Sequence, residues 1–368
     1  VATRCLITGG AGFIGRHLAS ELLAQGFTVR VLDNLNPQVH GADAARPVAL
    51  PGAADFVRAD VRDAQAVRAA LQDVDVVIHL AAEVGVGQSM YEIDRYTSVN
   101  DLGTAILLQE LIERPVSRLV VASSMSVYGE GLYETVDGVP AEGVRGDNTL
   151  GWDPVDAQGR ALRPLPTPET KTPDLQSIYA LNKYVQERSV LIVSRAYGME
   201  AVALRLFNVY GPGQALSNPY TGVLAIFASR LLNNQPPMVF EDGRQRRDFV
   251  HVEDVARAFR LALERPDANG EIINIGSGVS VSIEETALAL ARAMDRPDIK
   301  PLITRKARSG DIRHCFADIS QARRLLGFAP TRDFGNSLDE LAGWVAEQEA
   351  EDLVARAAEE LQARGLVA

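Results

Sequence analysis

Cysteine is scarce in this 368-residue chain, with only Cys5 and Cys315 present. Two thiols cannot build a disulfide framework. Cys5 falls in an apolar, strand-like run, where a buried and reduced thiol is expected. Long apolar runs are lacking as well: none approaches the ~20 residues that span a bilayer. The opening residues lack the charged-then-apolar pattern of a secretion signal. A cytoplasmic protein without a membrane partner is therefore the expectation. Positive charge is in deficit, with 37 Lys and Arg against 48 Asp and Glu and a net charge of −11. That balance weighs against nucleic acid as a partner. A small anion would need arginines gathered locally.

The length suits one large α/β unit or two lobes sharing a core. The composition, 46% hydrophobic and 23% charged, is ordinary for a globular protein. The first half alternates short β-branched runs with helical patterns. Residues 4–8, 28–33, 55–60, 74–80 and 118–123 read as strands. Between them, Ile14, Leu18, Leu22 and Leu23 recur at helical spacing, as do Val67, Ala70 and Leu71. Such alternation predicts an α/β fold, a Rossmann-type doubly wound parallel sheet. Longer helical patterns cover 91–113 and 177–197, and 201–207 reads as a further strand. Beyond 212 the rhythm loosens into a smaller C-terminal lobe, with 271–275 its clearest strand. The expected units are 1–212, 213–346, and a helical tail over 347–368.

Residues 130–176 break the pattern. They are rich in Gly, Pro and Asp, lack a sustained period, and are too long for an ordinary connection. Trp152 and Leu165 would need cover, so an ordered, hairpin-like excursion is expected.

Two motifs carry chemistry. Gly9, Gly12 and Gly15 follow a strand and open a helix, the arrangement that brings backbone N–H groups to a pyrophosphate. Asp33 ends the next strand about 20 residues on, as a dinucleotide fingerprint requires. An acid there accepts ribose hydroxyls and repels a 2′-phosphate, which favours NAD over NADP. Asp60 and Val61, at the third strand's end, would suit the adenine; a helix N-cap is the alternative for Asp60. The second motif is Tyr179 with Lys183, four residues apart on one helix face. An ammonium near a phenol is expected to pull its pKa below about 10 and make it a base.

With these residues the chain resembles the extended short-chain dehydrogenase/reductase family, in its nucleotide-sugar epimerase branch. The resemblance runs nearly full length. It rests on Thr8 to Gly15, His79-Leu80-Ala81-Ala82, Asn100 with Gly103-Thr104, Ser123-Ser124 before Val127-Tyr128-Gly129, Tyr179 with Lys183, Leu204 to Pro212, and Arg247 to Asp254. It implies Ser124, Tyr179 and Lys183 as the catalytic set. It implies NAD contacts at Gly9, Gly12, Phe13, Ile14, Gly15, Asp33, Asn34, Asp60, Val61, Leu80, Ala81, Ala82, Asn100, Ser123, Tyr179 and Lys183. A nucleotide-diphosphate sugar would meet Ser124, Ser126, Asn208, Arg247, Arg308 and Asp311. For Arg308 and Asp311 a plain surface pair is the alternative. The smaller lobe is then the substrate-binding lobe, and a homodimer through the two long helices is expected.

Members that dehydrate or decarboxylate carry an acid just after the catalytic hydroxyl. Here Met125-Ser126 follow, so oxidation and reduction at C4, a 4-epimerisation, is the simplest implied outcome. The insert and the segment 215–222 are similar to those of dTDP-L-rhamnose 4-epimerases, which make dTDP-6-deoxy-L-talose. Relatives with this insert often carry paired cysteines in it; residues 152–168 hold none, and no metal is expected. UDP-glucose/galactose 4-epimerase is the rival, weakened by Val84 where many such enzymes have lysine. A reductase consuming NADPH is a further alternative, opposed by Asp33.

Overall fold

The computed structural model describes residues 2–41, 45, 49–143, 151–308 and 310–367. Its centre is a seven-stranded parallel sheet. From edge to edge the strands are Ile272–Ile275, Glu200–Leu206, Arg118–Ser124, Val76–His79, Arg4–Thr8, Thr28–Asp33 and Asp55–Arg58. These strands are apolar on both faces because both faces are covered. The period of two then sorts side chains between two cores. Cys5, Ile7, Ile78, Val120, Ala122, Val202 and Leu204 face one; Leu6, Val77, Leu119, Val121, Ala201 and Ala203 face the other.

The strand order reverses between Arg4–Thr8 and Val76–His79, which pair side by side in parallel. A doubly wound sheet opens its ligand crevice at such a switch point. Gly9 and Leu80 flank it here.

Ile272–Ile275 departs from the sequence expectation. It pairs in parallel with Glu200–Leu206 and forms the edge of the central sheet, so it is not a strand of the smaller lobe. Its short apolar run satisfies either setting, and only the pairing partner decides. The chain thus leaves the central sheet after Leu206 and returns to it before completing the smaller lobe.

The expected 91–113 helix is broken in register. It runs as Ile93–Thr97, a π-helical turn Ser98–Leu102, and Gly103–Glu113. The other long helix, Ile178–Tyr197, starts at Ser177, whose Oγ accepts from Ala180 N at 3.1 Å. Glu187 in this helix and Arg205 in the sheet form a buried ion pair at 2.7 Å, which pins the helix carrying Tyr179 to its neighbouring strand.

The insert holds a three-stranded antiparallel sheet, in the order Pro140–Glu142, Leu132–Glu134, Arg163–Leu165. Residues 144–150, part of the excursion expected over 130–176, lie outside the described residues. Arg313, fully buried, anchors the insert: Nε donates to Asp153 at 2.7 Å, and Nη1 donates to Glu241 at 2.9 Å and Asp242 at 2.6 Å.

The smaller lobe packs helices Val223–Leu232, Ile283–Ala293 and Phe334–Ala346 around a third core that includes Phe227, Leu231, Phe249, Leu290 and Leu341. Each such side chain contributes about 1.5–3 kcal/mol on burial. The tail ends in the helix Val354–Ala363. Among the described residues no helix is long and apolar enough to cross a membrane.

Candidate active site

The glycine turn is built by close approach. Gly9 has φ +69°, and a Cβ there would lie 2.7 Å from Ala81 N; a Cβ on Gly15 would lie 2.4 Å from Gly10 Cα. Only glycine lets the turn, the next strand and the helix meet this tightly. Helix Phe13–Ala24 begins at Gly12 without a side-chain cap. Its first N–H groups, having no intrahelical acceptor, are left for an anion. Asp33 is buried, with Oδ2 accepting from Ala11 N at 3.0 Å and Oδ1 from Leu35 N at 2.9 Å. The carboxylate thus ties the glycine turn to the end of the second strand. A cradle that any Cβ would fill, an uncapped helix start and a buried acid beside it together fit a dinucleotide.

These residues open onto one cavity of about 1360 Å³, which continues between the two lobes. All the expected cofactor, catalytic and substrate residues line it except Asp60 and Asn100. The Asp60 carboxylate is held by Arg62 Nη2 at 2.7 Å and Asn34 Nδ2 at 3.2 Å. The Arg62 hydrogen bond holds it down at about 2. Asn100 is fully buried in the π-helical turn. Its Oδ1 accepts from Glu83 N at 2.7 Å and its Nδ2 donates to Glu83 O at 3.1 Å. It therefore fixes the backbone just past Ala81 and Ala82.

Tyr179, in the first turn of its helix, donates its backbone N–H to Ser89 Oγ at 3.1 Å. Burial pushes the phenol up to about 12, partly offset by hydrogen bonding to Ser124. Lys183 is also buried, and Nζ donates to Ala122 O and Gln186 Oε1, each at 2.8 Å. Burial pulls this amine down to about 7. Desolvation therefore moves both groups toward their neutral forms. It outweighs the acidification of the phenol expected from the four-residue spacing. Ser124 Oγ accepts from Ser126 N at 3.2 Å and Ser126 Oγ at 2.9 Å, so Ser126 orients the hydroxyl.

Behind Lys183 runs a buried polar chain that the motifs did not reveal. Gln186 Nε2 donates to Thr104 Oγ1 at 2.8 Å. Thr104 Oγ1 donates to Asn100 O at 2.6 Å and lies 2.8 Å from His79 Nε2. His79 Nε2 also lies 3.3 Å from Gln186 Nε2, and its Nδ1 is 2.7 Å from Thr8 Oγ1. Burial holds His79 neutral, down at about 3. The signal was present in part, since Gln186 is one turn after Lys183 and His79 closes its strand.

On the far side of the cavity, Asn208 Oδ1 is buried without a hydrogen-bond partner, an acceptor that calls for a donor. The Arg247 guanidinium is held by the carbonyls of Arg246 (3.0 Å), Arg313 (3.1 Å) and Ile312. Among the described residues no carboxylate pairs with it, so its charge is available to an anion. Arg308 forms a bidentate pair with Asp311 at 2.9 and 3.0 Å and lies over the Phe240 ring at 4.4 Å.

A glycine-lined crevice at the sheet's switch point, joined to a Ser-Tyr-Lys set, defines an NAD-dependent Rossmann enzyme of the extended short-chain dehydrogenase/reductase type. Residues 5–276 match the model of the NAD dependent epimerase/dehydratase family, and the chain belongs to that family. A dTDP-L-rhamnose 4-epimerase of Burkholderia thailandensis is 38% identical over 350 residues, covering 94% of this chain and 95% of its own length. A putative UDP-glucose 4-epimerase of Methanocaldococcus jannaschii is 33% identical over 342 residues, covering 92% and 97%. Among solved structures, the UDP-glucose 4-epimerase of Thermotoga maritima with UDP-glucose superposes with a TM-score of 0.77 at 29% identity, covering 94% of this chain and 99% of that one. The Thermus thermophilus UDP-glucose 4-epimerase in complex with NAD gives 0.75 at 30% identity, covering 94% and 100%.

Proposed function

We propose that this enzyme interconverts dTDP-L-rhamnose and dTDP-6-deoxy-L-talose by 4-epimerisation through a 4-keto sugar. The observation that carries the reading is the likeness at 38% identity over 94% of the chain. Residues 125 and 126 support it: Met125 and Ser126 cannot supply the carboxyl chemistry of dehydration or decarboxylation, and Ser126 instead orients Ser124.

The glycine turn, the start of helix Phe13–Ala24 and Asp33 would hold NAD, with Asn34, Val61, Leu80, Ala81, Ala82 and Ser123 lining its length and Asp60 and Asn100 supporting it from behind. NAD, when bound, would supply the acceptor for the C4 hydride and the donor that returns it. Tyr179 Oη, as the phenolate, takes the proton of the C4 hydroxyl and later returns it. Ser124 Oγ donates to the reacting oxygen. Lys183 orients the phenol and the nicotinamide-side ribose. Asn208 through its Nδ2 and Arg247, with Arg308 and Asp311, hold the diphosphate and nucleotide while the sugar turns its other face. The lobe 213–346 is on this reading the substrate-binding lobe. Substrate deuterated at C4 should give 6-deoxy-L-talose with deuterium kept at C4; wash-out of that label into solvent would contradict the mechanism.

UDP-glucose/UDP-galactose 4-epimerisation is the second reading, favoured by the match to the Thermotoga maritima enzyme. We also propose a homodimer through helices Ile93–Thr97, Gly103–Glu113 and Ile178–Tyr197. The turn between the first two exposes Leu102, and the last exposes Leu181 and Ile192. Light scattering of wild type and Ile192→Arg should show a dimer and a monomer, respectively.

A further inference from the structure

The C-terminal tail does not simply cover the surface. In helix Val354–Ala363, Val354, Ala357, Ala358 and Leu361 recur at helical spacing, and this stripe lines the same cavity as Tyr179 and Arg247. The tail crosses from one lobe to the other. At the smaller lobe Asp352 pairs with Arg230 at 3.0 Å, and Glu351 N donates to Ser217 Oγ at 3.1 Å. At the other end Leu361 packs on Gly87, where an added Cβ would lie 3.3 Å from a Leu361 methyl.

Gly87 belongs to the short helix Val86–Ser89, whose Ser89 accepts the N–H of Tyr179. The Leu361 end of the stripe is thus beside the element that seats the catalytic tyrosine. Further along, Val367 forms a β-bridge with Arg308. Glu360 stitches the closure: its Oε2 lies 3.2 Å from Tyr220 Oη and 3.4 Å from Tyr91 Oη, and those two hydroxyls are 2.5 Å apart. Tyr91 and Tyr220 come from opposite lobes.

We infer that residues 350–367 form the outer wall of the nucleotide-sugar pocket, and that their apolar stripe favours a sugar lacking a hydroxyl or carboxylate at C6. The inference rests on the nucleotide-sugar epimerase reading. Val354, Ala357, Ala358 and Leu361 offer no side-chain donor or acceptor. A polar C6 substituent brought against them would lose water without gaining a partner; a methyl group loses nothing.

The test is calorimetric binding of dTDP-L-rhamnose and of UDP-glucose to three NAD-loaded proteins: the full chain, a truncation after Gln348, and Ala358→Glu. Retained NAD reports that the altered proteins are folded. Truncation and Ala358→Glu should each weaken dTDP-L-rhamnose binding at least about tenfold, equivalent to about 1.4 kcal/mol, with NAD content unchanged and the preference over UDP-glucose reduced. Unchanged binding in both altered proteins overturns the inference. If the full chain binds UDP-glucose and not dTDP-L-rhamnose, the rhamnose assignment and the C6 preference both fall; weaker UDP-glucose binding on truncation would then still support the wall.

Discussion

Gln186 Oε1 accepts a hydrogen bond from Lys183 Nζ at 2.8 Å, one turn along the same helix. The same amide donates to Thr104, so the lysine is held from behind by a side chain that does not line the cavity. Replacing Gln186 with Leu removes one hydrogen bond from a buried amine, a loss of about 0.5–1.5 kcal/mol. We expect kcat to fall at least about tenfold with KM nearly unchanged. Gln186→Glu should restore much of the rate and move the pH profile upward, because a carboxylate there favours the charged lysine. Steady-state kinetics from pH 6 to 10 check both.

Lys183 also makes stability depend on pH. Its folded value of about 7 lies below its unfolded value of about 10.4. Between them the unfolded chain binds more protons, so this group's contribution to stability rises with pH. The penalty for burying the cation is full below about pH 7 and is relieved as pH climbs toward 10. Lys183→Met, compared with wild type after NAD is removed from both, should therefore melt higher at pH 6, with the gain shrinking toward pH 10. A gain that does not change with pH would contradict the assignment.

Asp33 holds two backbone N–H groups as well as facing the cofactor end of the cavity. Asp33→Ala leaves the Ala11 and Leu35 donors unpaired, at about 1–3 kcal/mol each. A lower melting temperature and a protein purifying with less NAD are both expected. Thermal unfolding and the ratio of absorbance at 260 to 280 nm check them.

Arg313 is fully buried between Glu241, Asp242 and Asp153, and its carbonyl holds Arg247. Arg313→Met leaves the buried Glu241 carboxylate without this partner, and breaking such a pair costs about 3–5 kcal/mol. We expect a clear loss of stability in urea. In the protein that still folds, KM for the sugar nucleotide should rise with kcat less affected.

Much of this was legible in residue order because the features involved are local. Period-two and period-3.6 patterns located the central strands and both long helices. Ser124, Tyr179 and Lys183, each picked out by a short motif, line one cavity. What depended on partners was not legible. Ile272–Ile275 reads as a strand from its apolar run, but only pairing with Glu200–Leu206 assigns it to the central sheet. Asn100 reads from its motif as a cofactor-side residue, and only the π-helical turn shows that its amide holds the Glu83 backbone. The shifts of Tyr179 and Lys183 follow burial, which a spacing of four does not encode. The tail's helical pattern was visible, yet nothing in it says that one face meets the cavity.

The reaction proposed for this enzyme is 4-epimerisation of dTDP-L-rhamnose with retained NAD. Proton NMR of the purified enzyme with dTDP-L-rhamnose, no cofactor added, reads it directly from the couplings of H4. A growing mixture of rhamnose and 6-deoxytalose forms is the expected result. An unchanged spectrum, persisting after NAD+ is supplied, would contradict it and bring UDP-glucose and UDP-galactose forward as the substrates.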